Sequence, residues 1–267
     1  MTGSSISSES SVRPDSVPEQ RRAHERSAAA EARRCLADVR RTTERLDQAV
    51  GELSEARIHQ PSRLPGWTRA HVITHLARNA DAFVNLLTWA RTGVEHPMYP
   101  STADRDADIE EGACRLAQVV HEDLRAASDR FAAASDRLSD SQWLATVAGR
   151  ASMVFPAARI PSMRLFELWA HLVDLDVGFG FADLPDEHVE EMLESAVSRL
   201  VGRADAPSVR LAVTMPDGTE RVWDLAGGLE GGPYRVAGEA APVMAWLTGR
   251  GDGTELSGDL PVLPPWG

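Results

Sequence analysis

The 267-residue sequence contains no lysine: all 28 basic residues are arginine, they face 40 acidic residues, and the formal net charge is -12. With no basic block either, the chain lacks the electrostatic footprint of a nucleic-acid binder. The missing lysine fits a GC-rich coding bias and implies no mechanism. Cysteine is nearly absent too. Cys35 and Cys114 stand far apart with no CxxC pair, which argues against a disulfide framework or a thiolate zinc site and leaves two buried or idle thiols. No apolar run approaches the ~18 residues of a membrane span. The Ser-rich amino terminus lacks the apolar core of a secretory signal, so residues 1–22 are expected to be a disordered tail on a soluble, cytoplasmic, monomeric protein. Hydrophobic residues at 43% and charged residues at 25% are ordinary for a globular chain that buries a sizeable core.

What is present reads first as helix. From about Glu19 to Ile58 an Ala-, Arg-, Glu- and Leu-rich stretch predicts one long helix, broken by the segment Gln60–Gly66. Thr68 is an N-cap for a second helix that runs to Thr92, where Gly93 stops it. Thr102 to about Asp140 predicts a third, followed by a looser stretch. Pro161-Ser162 opens a fourth, Met163 to about Val177, ended by Gly178-Phe179-Gly180. Four such helices suggest a bundle. The pattern changes after Asp183. A helix near Glu187–Gly202 precedes an alternating strand, Val209–Met215, and Pro216-Asp217-Gly218 turns it into a hairpin with Thr219–Leu225. A short strand at Tyr234–Ala237 and a helix at Ala240–Leu247 complete a small α/β unit. The expected fold class is α+β: a bundle over residues 23–182, then an α/β domain over residues 183–267.

Two helices carry polar residues where apolar ones would suffice. On the second, His75 and Asn79 lie beside the core stripe of Ile73, Leu76, Ala80, Phe83 and Leu87, where an unpaired polar group costs about 1–3 kcal/mol. From this helix alone His75 reads first as a satisfied core histidine, and His71, one turn earlier, points further from the core face. On the fourth, Glu167 and His171 are four apart and project from one side, spaced to chelate one ion. Arg164 and Asp174 share their stripe, and apolar residues fill an arc of roughly 200°, wider than the ~100° a surface helix needs. The stripe could face water, but a helix this apolar predicts a polar stripe turned toward an internal site. Two imidazoles and a carboxylate suit Zn²⁺ and leave a fourth position open, and Asp174 is placed to orient the imidazole of His171.

The run Leu64–Ala80, LPGWTRAHVITHLARNA, resembles the signature of the mycothiol-dependent maleylpyruvate isomerases. Asn85–Gly93, Pro97-Met98-Tyr99, Glu167–Leu175 and Leu247–Gly253 resemble the same family, and the likeness spans the chain from about residue 25. The resemblance implies a DinB-like four-helix bundle holding a divalent metal, usually zinc, through His75, Glu167 and His171, followed by a small α/β domain. It also implies mycothiol as the thiol cofactor, and Arg250 as a catalytic cation that binds a substrate or cofactor carboxylate. The family frequently has Arg directly before the liganding Glu. This chain has Phe166 there, so any anion contact is lost or moved to Arg164.

The implied chemistry is cis-trans isomerisation of maleylpyruvate, a dicarboxylate keto acid, to fumarylpyruvate in gentisate-type aromatic degradation. A thiolate adds to the activated alkene, rotation follows about what is now a single bond, and the thiolate leaves. Metal coordination makes that thiolate available at neutral pH. Arg78 and Arg164 are expected to assist Arg250 with the developing negative charge, and Asn79 to make a neutral hydrogen-bonding contact. Two rivals remain: a mycothiol S-transferase on the same scaffold, and a non-catalytic metal-stabilised helical module. The match over Asn85–Tyr99 favours the isomerase. Three protein ligands where a structural zinc more often has four argue against the module.

Overall fold

The computed structural model describes residues 16–150 and 153–266. Most of the expected tail, residues 1–15, lies outside them. Helix α1 spans Ser16–Gly51, so residues 16–22 are already helical. It buries Ala29, Ala32, Leu36, Val39, Leu46 and Val50 along one stripe. The expected single first helix is in fact two. After Gly51 the chain tucks the side chain of Leu53 into the core, and Ser54 caps a short α2, Glu55–Ile58, accepting from the Arg57 amide at 3.4 Å.

Helix α3, Arg69–Thr92, begins with a capping box: Thr68 Oγ1 accepts from the His71 amide, and His71 Nδ1 accepts from the Thr68 amide at 3.2 Å. It ends at Gly93 in the left-handed conformation, φ 73°. Such a cap leaves first-turn and last-turn backbone groups satisfied. The expected third helix is divided into α4, Thr102–Ala113, and α5, Ala117–Asp136. Within α4, a Cβ on Gly112 would lie 2.4 Å from Thr74 Cγ2, so only glycine lets α4 pack this close to α3. The looser stretch holds a small antiparallel hairpin of β1, Thr146–Ala148, and β2, Val154–Pro156.

Helix α6, Ile160–Asp174, has Pro161 in its first turn, where the missing N–H is no loss. Leu165, Phe166, Leu168, Trp169, Ala170, Leu172 and Val173 are all buried. Helices α1, α3, α5 and α6 pack on one another as the four-helix bundle. Helix α7, Asp186–Leu200, then leads to β3, Val209–Thr214, β4, Glu220–Leu225, and β5, Tyr234–Glu239. Strands β3 and β4 form the expected hairpin, β5 runs parallel to β3, and β6, Ser257–Gly258, pairs antiparallel with β5. The order is β4-β3-β5-β6, with α8, Ala240–Leu247, packed against β3 and β5. The chain is thus a helical bundle followed by a small sheet domain, and one continuous apolar core joins them. Among the described residues no helix is long and apolar enough to cross a membrane.

Candidate metal centre

His75 comes from α3, Glu167 and His171 from α6, and all three meet inside the bundle. His75 Nε2 lies 3.1 Å from Glu167 Oε2, and His171 Nε2 lies 3.4 Å from the same oxygen. One ligand atom from each falls within 4.8 Å of the others. The two imidazoles meet edge to face, with ring centroids 4.6 Å apart, and Trp67 covers His75 at 5.7 Å. A tetrahedral ion with bonds of about 2.0–2.1 Å separates its ligand atoms by about 3.4 Å. The observed spacings and the N, N, O donor set therefore fit such an ion.

Behind His171 stands a buried chain of charge. Its Nδ1 is 2.8 Å from Asp174 Oδ2, and Asp174 is fully buried. Arg250 grips the same carboxylate with two bonds, Nε to Oδ1 at 2.8 Å and Nη2 to Oδ2 at 2.6 Å, and its Nη1 donates to the Thr248 carbonyl at 2.9 Å. Gly249, in the left-handed region at φ 71°, ends α8 and turns the chain so that the Arg250 amide bonds back to Ala245 O. The last turn of α8 thereby delivers a guanidinium to the foot of α6. On the other imidazole, Arg105 Nη2 donates to His75 Nδ1 at 3.1 Å. Guanidinium has no acceptor, so in the metal-free chain this contact puts the proton of a neutral His75 on Nε2, facing Glu167, whereas a metal held at Nε2 would move it to Nδ1 and release Arg105 from this bond.

Residues 39–176 match the family described as Mycothiol maleylpyruvate isomerase N-terminal domain. The chain belongs to that family. Two crystal structures, of the mycothiol-dependent maleylpyruvate isomerase and of a histidine-to-alanine mutant of it, superpose with a TM-score of 0.76 at 26% identity, over 88% of this chain and 97% of theirs. Two uncharacterised proteins of Mycobacterium tuberculosis are 30% identical over 149 residues, 54% of this chain and 56% of each relative. The match therefore spans about half the length of these curated relatives.

In this member of the maleylpyruvate isomerase family the other residues singled out from sequence take distinct places. Arg250 reaches the triad through Asp174, with all three of its nitrogens engaged. Arg164 is buried and donates from Nη1 to Leu76 O at 2.9 Å and Asn79 Oδ1 at 2.7 Å, while its Nη2 has no partner among the described residues. Burial pulls its pKa down to about 10. Asn79 accepts that bond, so it ties α3 to α6. Arg78 turns outward to Asp123 on α5, with bonds of 2.8 and 2.9 Å, and to Asp81. His71 serves the cap of α3 and approaches Glu110 at 3.3 Å. Cys35 is half-buried, and burial, with Glu191, Asp38 and Glu31, pushes its thiol up to about 12; the thiol is inert at neutral pH.

Two residues that touch the triad were not anticipated. Arg105 lies on α4, its guanidinium 5.9 Å from the Tyr99 ring, and Arg199 lies on α7, its Nη2 3.2 Å from Glu167 Oε1. Both sit in charged stretches that read as solvated helix faces, so pattern alone gives no signal for them.

Burial holds the pKa of His75 down to about 4, and the bond to Glu167 only partly opposes it. Burial would raise Glu167 and Asp174, but their bonds to the imidazoles, and to Arg250 in the second case, outweigh it and hold both below their ordinary values. For His171 burial is overcome by the bonds to Asp174 and Glu167, and its pKa is raised. The stability supplied by His171 is therefore complete below its ordinary value of 6.5 and lost as pH rises through its folded value. His75, Glu167 and Asp174 act in the other direction, since below their ordinary values of 6.5, 4.5 and 3.8 the unfolded chain binds the proton more readily. The urea midpoint of metal-free protein should accordingly fall as pH is lowered from 6.5 toward 4, and a flat or rising midpoint there would refute this assignment of charge.

Proposed function

We infer that this protein is a mycothiol-dependent, metal-dependent isomerase that converts maleylpyruvate to fumarylpyruvate, acting as a monomer in the cytoplasm. The observation that carries the reading is the convergence of His75, Glu167 and His171 on one point, with no fourth protein ligand among the described residues. Family membership and the superposition on mycothiol-dependent maleylpyruvate isomerase support the same conclusion. Residues 23–182 are read as the unit that holds the metal, and residues 183–267 as the unit that brings Arg199 and Arg250 to it.

A divalent ion, with zinc the best match to the donors, and the thiol of mycothiol would together supply thiolate addition to the conjugated alkene and its reversal after bond rotation. The chain's own contribution begins with Asp174, which fixes the ring of His171 by accepting at Nδ1 and so presents Nε2 to the site. Arg250 holds that carboxylate in place and is read as a positioning residue rather than a carboxylate receptor. Trp67, packed over His75, limits the approach of water to that side of the triad.

Purified protein given maleylpyruvate and catalytic mycothiol should form fumarylpyruvate with the thiol regenerated, and a chelator should stop it. Stoichiometric consumption of thiol, with a stable adduct, would instead make the protein an S-transferase. Turnover indifferent to both thiol and chelator would overturn the reading.

A further inference from the structure

We propose that Arg105 and Arg199 are the two carboxylate receptors of the site, one on each flank of the triad, and that together they select a substrate with two carboxylates. The proposal rests on the functional reading above and adds the residues that recognise the substrate.

Seven arginines lie near the triad or on its helices; Arg69 bonds to the Leu175 and Asp176 carbonyls and Arg91 lies at the far end of α3, and the partners of the other five sort them. Arg250 spends all three nitrogens on Asp174 and Thr248, and its side chain is only 4% exposed. Arg164 is 1% exposed, so an anion would have to enter the core to meet its spare nitrogen. Arg78 faces Asp123 and Asp81, two carboxylates already in place. Arg105 and Arg199 differ in that each touches a triad atom and also reaches solvent, with side chains 14% and 38% exposed.

Their contacts place them on opposite flanks. His75 and Glu167 face each other through Nε2 and Oε2. Arg105 approaches the far nitrogen of that imidazole, Nδ1, and Arg199 the other oxygen of that carboxylate, Oε1. A guanidinium carries five N–H donors. Among the described residues the Arg199 guanidinium makes one hydrogen bond, to Glu167, and Arg105 uses Nη2 on His75 and Nη1 on Asp106, so both keep donors for a ligand.

Both guanidiniums are also held by aromatic rings. Arg199 lies 4.9 Å from the Phe166 ring and 5.0 Å from the Trp266 ring, themselves stacked at 5.6 Å, and Arg105 lies 5.9 Å from Tyr99. Ring contact orders a guanidinium without using its N–H donors. The proximity of Gly112 to Thr74 on α3 sets how close α4, and with it Arg105, can come to His75. In a protein of charge -12, two ordered cations together with a bound divalent ion would outweigh the Glu167 and Asp106 carboxylates and make a local positive site suited to a small dianion.

The test is a binding measurement made without thiol, so that no turnover occurs. Zinc-loaded wild-type protein is titrated calorimetrically with maleate, which has two carboxylates, and with monomethyl maleate, which has one. Wild type should prefer maleate by about 10-fold or more, the worth of one charge-assisted bidentate contact. Arg105→Met and Arg199→Met should each lower that ratio by about 10-fold with one zinc per chain retained. Arg105→Lys and Arg199→Lys, which keep the charge but lose the fork, should retain part of the preference. Equal affinity of wild type for the two ligands, or an unchanged ratio in both Met variants, would overturn the proposal. An unchanged ratio with thiol-dependent isomerisation intact would sink these receptors alone. Absence of isomerisation with the ratio lost in the variants would sink the isomerase reading alone.

Discussion

His171→Ala should lower thiol-dependent turnover by roughly 10³-fold or more, because it removes one of the three proposed metal donors and with it several kcal/mol of charge stabilisation at the reacting centre. The substitution also leaves Asp174 with only Arg250 as partner, a pair that remains neutral overall. Helical content should therefore be kept. The comparison to make is steady-state turnover alongside zinc content and far-ultraviolet circular dichroism. Zinc-free, folded and inactive protein is the expected result, whereas full activity without bound metal would exclude a metal mechanism.

The second large effect belongs to Arg250→Met. Asp174 is fully buried and Arg250 nearly so, and taking one partner from a buried ion pair costs about 3–5 kcal/mol because the other charge is left unmatched. At about 2–4 °C per kcal/mol for a chain of this size, the melting temperature should drop by about 6–20 °C. Zinc affinity should weaken by about 10–100-fold, since the group that orients His171 is loosened. The double variant Arg250→Met/Asp174→Leu separates the two effects. It should recover much of the stability, because an apolar pair replaces an ionic one, yet keep the weakened zinc affinity. Recovery of both together would show that Arg250 acts on the fold alone.

The candidate site was legible in sequence to the extent that burial conflicts with polarity. His75 on an apolar face and Glu167 with His171 on a helix apolar almost all round both demand partners, and that demand is local enough to read from spacing. Arg105 and Arg199 left no such mark. Each is one arginine in a charged helix, and only the docking of α4 and α7 turns it inward. The direction of Arg78 was hidden for the same reason, since its target, Asp123, lies on a helix 45 residues away.

The fold shows a similar division. Strands β3 and β4 and helix α8 follow from alternation, a Pro-Asp-Gly turn and an apolar octet. The division of the first helix at Leu53-Ser54 and of the third near Cys114 falls within runs rich in good helix formers with no Pro at the break, so local propensity does not mark it. Strands of three residues, as in β1 and β2, are too short for their alternation to stand out from a loop.

The most direct test uses cobalt in place of zinc, since Co²⁺ absorbs in the visible and reports both geometry and sulfur ligation. One equivalent should bind per chain with the spectrum of a tetrahedral N, N, O site, and adding mycothiol should raise a sulfur-to-cobalt charge-transfer band that is missing in His75→Ala and His171→Ala. A thiol that leaves the wild-type spectrum unchanged, or a band that survives in either variant, would contradict the assignment of His75, Glu167 and His171 as a metal centre open to a thiol.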